Sequence, residues 1–181
     1  MSFKQAVFSA AFFFSSMGCD AADRVWQLTR NGVVVQDAGR TTRVPLPDWL
    51  YAGPRYGCVP ALAVGPNGEA VVSSDVVPTL WRVDPRTLAV TRHELKLDAD
   101  NDKDVGFSDL VWEPRESAYF AASTADGALW RIDRELKAAR KLAPGTPGAT
   151  CRRSFGEAVA RQVRSRHLRT WSASRSPDAR P

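Results

Sequence analysis

The 181 residues carry 44% hydrophobic side chains at a mean hydropathy of −0.30, enough for one domain with a real core and too polar for a multi-span membrane protein. The net charge of +5 is unevenly placed: residues 1–150 hold 17 Lys/Arg against 18 Asp/Glu, and residues 151–181 hold 8 Arg against 2 acids. A near-neutral body offers no broad electrostatic footprint to a phosphate backbone, so nucleic acid is disfavoured as a partner.

At the N-terminus, Lys4 supplies a short positive region and Ala6–Phe14 an apolar run, followed by the small residues Ser15, Ser16 and Gly18. This is the layout of an export signal. The apolar part, about a dozen residues, is well short of the roughly 20 that a membrane-spanning helix needs. Residues 1–22 are therefore expected to be a leader, and the mature protein to be exported to the periplasm or cell envelope. Ser16-Met17-Gly18-Cys19 resembles the lipobox of bacterial lipoproteins, and the resemblance implies a lipid anchor at Cys19 as the route to the membrane. It departs at Ser16, where that pattern prefers Leu, and cleavage near Ala21 or Ala22 is the alternative. Export by either route would leave Cys58 and Cys151 as an even pair in an oxidising compartment, where a disulfide is chemically allowed. The other reading makes Cys58 a small buried residue and Cys151 a free thiol.

Residues 23–144 carry an internal repeat. The segment beginning at Ala61 (ALAVGPNGEAVVSSDVVPTLWRVDPRTLAV) aligns with that beginning at Asp109 (DLVWEPRESAYFAASTADGALWRIDRELKA) at a period of about 48 residues. Pro66 matches Pro114, Trp81 matches Trp130, Asp84 matches Asp133 and Leu88 matches Leu136. Each unit reads as an apolar strand, a turn, a second strand, a polar turn, a Trp-containing strand and a final strand near Leu88–Leu95. Asn-Gly and Pro-containing turns join antiparallel neighbours, and four strands per unit is the grammar of a propeller blade. Val25–Leu46 fits the end of a preceding blade. Its Trp26 is expected to be equivalent to Trp81 and Trp130, and all three to pack between blades.

Leu110-Val111-Trp112-Glu113-Pro114, Tyr119 to Ser123 and Leu129–Asp133 resemble the blades of gluconolactonase-like, NHL and quinoprotein-like propeller proteins. The resemblance implies an all-β, partial β-propeller of about two and a half four-stranded antiparallel blades. A closed ring needs at least about four blades, so the array reads as truncated. Its open strand edges are expected to bind a protein partner or to self-associate. The implied function is an exported binding or scaffold module; the alternative is a gluconolactonase-like metal-dependent hydrolase or its inactive remnant. Such enzymes hold a divalent metal through widely spaced Glu, Asn and Asp side chains; Glu113, at a strand end after Trp112, could be mistaken for one such ligand, and no second or third is assigned.

The most pointed constellation for an ion lies between the repeats. Asp98, Asp100, Asp102, Asp104 and Asp109 occupy relative positions 1, 3, 5, 7 and 12 of a calcium loop, where alternate side chains converge oxygens on one hard cation. Lys103 stands where that loop has Gly, and Asp109 has a shorter arm than the usual Glu. The stretch also reads as an acidic inter-blade loop. His93, inside an apparent strand, and His167, in the tail, are the only histidines, so a His-based triad or a multi-His metal site is poorly supported. No catalytic residue is assigned. Residues 145–181 are expected to be disordered or weakly helical: Ser154-Phe155-Gly156-Glu157 has capping-box spacing, but over Phe155 to Trp171 the arginines surround the whole circumference.

Overall fold

The computed structural model describes residues 17–20, 23–49, 51, 58–101 and 104–145. Every regular element among them is a strand, and the strands form three sheets. The first contains β1 (Met17–Cys19), β2 (Val25–Thr29), β3 (Gly32–Asp37) and β4 (Arg40–Val44), in that order. The second contains β5 (Leu62–Val64), β6 (Ala70–Ser73), β7 (Thr79–Val83) and β8 (Val90–Glu94). A short β9 (Lys96–Leu97) then crosses to the third sheet, built from β10 (Phe107–Glu113), β11 (Ala118–Ser123), β12 (Leu129–Asp133) and β13 (Ala138–Ala143). There β9 lies parallel to β13 on the outer edge, while every other pairing is antiparallel.

These are three blade-like meanders, one half-blade more than the repeat suggested. The difference lies in β1, inside the range expected to be a leader, which pairs with Val25–Gln27 and completes the first sheet. The rest of the expected leader, residues 1–16, the helical window Phe155–Trp171, His167 and Cys151 lie outside the described residues.

Local chemistry accounts for the meanders. Between β3 and β4, Ala38 and Gly39 both take positive φ (46° and 78°), the two-residue hairpin geometry whose twist matches the flanking strands. The Asp84–Leu88 turn is held by Asp84 Oδ1, which accepts from the backbone N–H of Arg86 (2.9 Å) and Thr87 (2.8 Å) and from the Thr87 hydroxyl. Asp133 does the same in the third sheet, accepting from the N–H of Lys137 and Ala138.

Side-chain alternation then stacks the sheets. On β6, Ala70 and Val72 face a core shared with Trp26, Leu28, Val33 and Val35 of the first sheet, while Val71 faces one shared with Phe107, Tyr119 and Trp130 of the third. On β11, Tyr119 and Ala121 face inward to that second core, and Ala118 and Phe120 face outward. Strands β6 and β11 are consequently buried on both faces, whereas β2 alternates between buried and half-buried.

Trp26, Trp81 and Trp130 all pack between sheets, at 0–3% exposure. Their equivalence needs correction. Trp81 and Trp130 sit on the third strand of their sheets and face the preceding sheet; Trp26 sits on the second strand and faces the following one. The shared Trp-x-hydrophobic pattern marks an inter-sheet position without fixing which strand carries it.

Hydrogen bonds lock the second and third sheets together at one end. Ser73 Oγ donates to the Phe107 carbonyl (2.7 Å) and accepts from the Ala61 N–H (2.9 Å). Thr124 Oγ1 donates to the Asp75 carbonyl (3.0 Å). Gly106 passes so close to Asp75 that a Cβ would come within 2.1 Å of its carbonyl carbon, so a side chain there would separate the sheets.

Candidate functional site

At the opposite end of that interface, the Gly65–Glu69 turn delivers a carboxylate into the protein interior. Glu69 is 4% exposed; its Oε2 accepts from the Asn67 N–H (2.8 Å) and its Oε1 lies 3.4 Å from Tyr119 Oη. Trp112 meets the Tyr119 ring edge-on at 4.9 Å. Burial first, and then the neighbouring Glu69 charge, push the Tyr119 hydroxyl far above the ordinary phenol range, so it is a hydrogen-bond donor and not a base. The pair ties the second sheet to the third and presents no reactive oxygen to solvent. Glu69 carried no sequence signal beyond its place in a turn.

A second buried carboxylate, Asp20, accepts from Trp26 Nε1 (3.2 Å) and from the Arg24 N–H (3.2 Å), and pairs with Arg24 Nε at 2.7 Å. The Asp-x-x-x-Arg spacing was its one legible trace. Arg24 also donates to the Pro85 carbonyl of the second sheet.

Four of the five residues proposed for calcium lie among the described residues. Asp98 Oδ1 accepts from the Lys141 N–H (2.9 Å), and Asp100 pairs with the Lys141 ammonium, which also lies 3.8 Å from Asp126. Asp104 is exposed in the connection to β10, Asp109 is on β10 itself, and Asp102 lies outside the described residues. Among the described residues no group of three or more His, Cys, Asp or Glu could hold a metal ion. Glu113 Oε1 accepts from the Arg115 N–H (3.1 Å) at the start of the following turn.

The cysteines separate. Cys19 is a free, exposed thiol on β1. Cys58 is 2% exposed and disulfide-bonded, with its Sγ 3.6 Å from the Thr124 carbonyl oxygen.

Two grooves lined by described residues open on the surface. One, of about 440 Å³, runs beside β9 and β13 and mixes Lys96, Arg131 and Arg140 with Asp98 and Asp133, both acids being held by backbone N–H groups. The other, of about 380 Å³, lies between the first sheet and the Asp84–Leu88 turn. Val35, Pro85 and Leu88 contribute apolar surface, and Arg40 and Arg86 outnumber Asp37. Alongside it runs β4, which pairs with β3 alone, so its outer backbone groups face away from any described strand. Apolar surface, guanidinium groups and an open strand edge suit an extended acidic segment.

No family model matches the chain, and no curated protein does. Among solved structures, a catalytically inactive virginiamycin B lyase from Staphylococcus aureus, solved with quinupristin, matches with a TM-score of 0.55 at 14% identity, over 75% of this chain and 42% of that one. At that identity the likeness shows a propeller-like fold and nothing finer. The chain spans less than half the length of that protein.

Proposed function

We propose that the chain is an exported, propeller-type binding module of the cell envelope that holds an acidic segment of a partner protein along the open edge of β4. The observation that carries this reading is the groove in which Arg40 and Arg86 join Val35, Pro85 and Leu88 beside β4, whose outer edge pairs with no described strand. Buried Asp20, Glu69 and Tyr119 are engaged with neighbouring groups inside the protein, whereas the polar groups of this groove lie at the surface. Fluorescence anisotropy with a labelled oligo-glutamate peptide tests it. Binding should weaken with salt, and Arg40→Glu with Arg86→Glu should reduce it by about tenfold or more, each exposed charge contributing up to about 1 kcal/mol. Undiminished binding by the double variant overturns the proposal.

A lipid anchor at Cys19 belongs to the same proposal. Cleavage near Ala21 or Ala22 would remove Asp20 and leave the Trp26 indole N–H without its acceptor, whereas cleavage before Cys19 keeps Asp20. The mass of the mature N-terminus separates the two. Calcium at Asp98, Asp100, Asp102, Asp104 and Asp109 is a further proposal: the ion would have to displace Lys141 from Asp100. A rise in Tm at millimolar calcium would support it, and an unchanged Tm removes it.

The second reading, a gluconolactonase-like hydrolase or its remnant, draws on the fold shared with an enzyme. Its test is lactone hydrolysis with added divalent metal, and turnover lost in Glu113→Gln would replace the binding reading.

A further inference from the structure

The groove beside β9 and β13 breaks the repeat at a charged position. In the second sheet Arg82 on β7 stands opposite Thr91 on β8, and its Nη2 donates to the Arg134 carbonyl of the third sheet. The corresponding pair in the third sheet is Arg131 on β12 and Arg140 on β13, directly opposite each other. Like charges so placed are destabilising unless something answers them both. Because Trp130, Ile132 and Ala139 face the core, side-chain alternation puts both arginines on the outer face, where they line the groove with Lys96 of β9.

The acids nearby are engaged and the cations are not. Asp133 accepts from the N–H of Lys137 (2.9 Å) and of Ala138 (2.6 Å), one on each oxygen, and Asp98 Oδ1 accepts from the Lys141 N–H (2.9 Å). Asp100 and Asp126 flank the Lys141 ammonium, which lies beside the Trp130 ring on the other face of the sheet. Among the described residues Lys96, Arg131 and Arg140 make no ion pair. Arg131 is nevertheless held in place: its Nη2 donates to the Glu116 carbonyl (3.1 Å) and its Nε is enclosed. Its guanidinium cannot turn away from Arg140 without giving up that bond.

We propose that this groove binds a tetrahedral oxyanion, the phosphate or sulfate group of a small ester, between the Arg131 and Arg140 guanidinium groups with the Lys96 ammonium beside it. Two guanidinium forks on neighbouring strands are best answered by an acceptor with oxygens in more than one plane, which a tetrahedral group offers and a carboxylate does not. Lys96, Arg131 and Arg140 against Asp98 and Asp133 leave the lining with one net positive charge, and the backbone N–H groups on both acids temper their repulsion of an anion. At about 440 Å³ the groove is larger than a bare ion and of the size that small-molecule ligands fill, with Leu97 and Ala138 to meet the organic part. It shares no residue with the groove beside β4, so the two sites stand or fall separately.

The test is an amide NMR titration of the full chain near neutral pH, with phenyl phosphate and phenyl sulfate as probes, benzoate as the planar comparison and chloride to hold ionic strength constant. Shifts at Lys96 and residues 138–141 should saturate with one ester or both, the tighter one naming the group, and benzoate should bind at least about fivefold more weakly. Arg140→Thr, which installs the residue that the second sheet has at this place, should weaken the better probe by about tenfold. Lys96→Gln should weaken it by about threefold, and Arg40→Thr, in the groove beside β4, should leave it unchanged. Absence of saturable shifts with either ester, equal affinity for benzoate, or an equal loss in Arg40→Thr would overturn the proposal. So would titrations of Arg140→Thr and Lys96→Gln that superimpose on that of the wild type.

Discussion

His93 shows at single-residue scale how this protein uses a group that chemistry would make reactive. It lies on β8 with its Nε2 buried and without a hydrogen-bond partner among the described residues. Burial, and secondarily the Arg82 guanidinium, hold its pKa below the ordinary imidazole value against an opposing pull from Asp133. The folded state therefore favours neutral imidazole. As pH falls below about 6.5 the unfolded chain takes up this proton first, so the contribution of His93 to stability is lost on acidification down to its folded-state pKa. Replacing it as His93→Gln should flatten that part of the profile. Urea denaturation of both proteins at pH 8, 6.5 and 5 reads the effect: the wild-type midpoint should fall relative to the variant only in the acidic pair, and parallel curves would show that His93 stays protonated or unprotonated throughout.

At the scale of the element, the repeated turn after the Trp strand carries a cost in the same place twice. Leu88 and Leu136, matched by the repeat, both adopt φ of 58°, a left-handed conformation that costs a non-glycine residue about 1–2 kcal/mol. Their surroundings differ: Leu136 is 1% exposed in the core between the second and third sheets, and Leu88 is half-buried at the edge of the other core. Glycine relieves the backbone at either site but removes a buried side chain only at the first. Since truncating a buried leucine costs about 2–5 kcal/mol, Leu136→Gly should lose about 2–3 kcal/mol net while Leu88→Gly stays within about 1 kcal/mol of wild type. Chemical denaturation decides, and equal losses would mean that the two turns are packed alike. The same turns mark how far sequence carried. Asp84 and Asp133, Trp81 and Trp130, and the strand order of the second and third sheets were legible because turn chemistry and side-chain alternation are local. β1 was not, since three residues just after an apolar leader-like run acquire strand identity only from pairing with β2. Glu69 and Lys141 were hidden for the same reason: the partners that define them, Tyr119 and Asp100, lie far away in sequence.

For the whole molecule, three sheets stacked only on their neighbours make a short linear array in which each interface contributes separately to stability. The first sheet is held by one apolar interface, through Trp26, Leu28, Val33 and Val35. The third is held through Phe107, Tyr119, Trp130 and Ile132, is reinforced by Ser73 and Thr124, and has a covered outer face as well. Burying a large apolar side chain is worth about 1.5–3 kcal/mol, so the two ends of the array should open at different free energies. Amide exchange of the wild-type chain in increasing denaturant measures this directly. Amides of Val33–Val35 should exchange through an opening that exposes little surface, with a small denaturant slope, and those of Tyr119–Ala121 through the larger global transition. Intermediate denaturant should then populate a form with the first sheet open and the other two intact. If both sets converge on one free energy and one slope, the array unfolds as a single unit, and the Arg24 and Asp20 contacts that tie the first sheet to the second are stronger than the apolar asymmetry implies. The proposed binding edge, β4, lies in the less protected sheet. An acidic segment bound there would raise the opening free energy of β2–β4 without changing that of β11, which links recognition to the one part of the molecule with room to be stabilised.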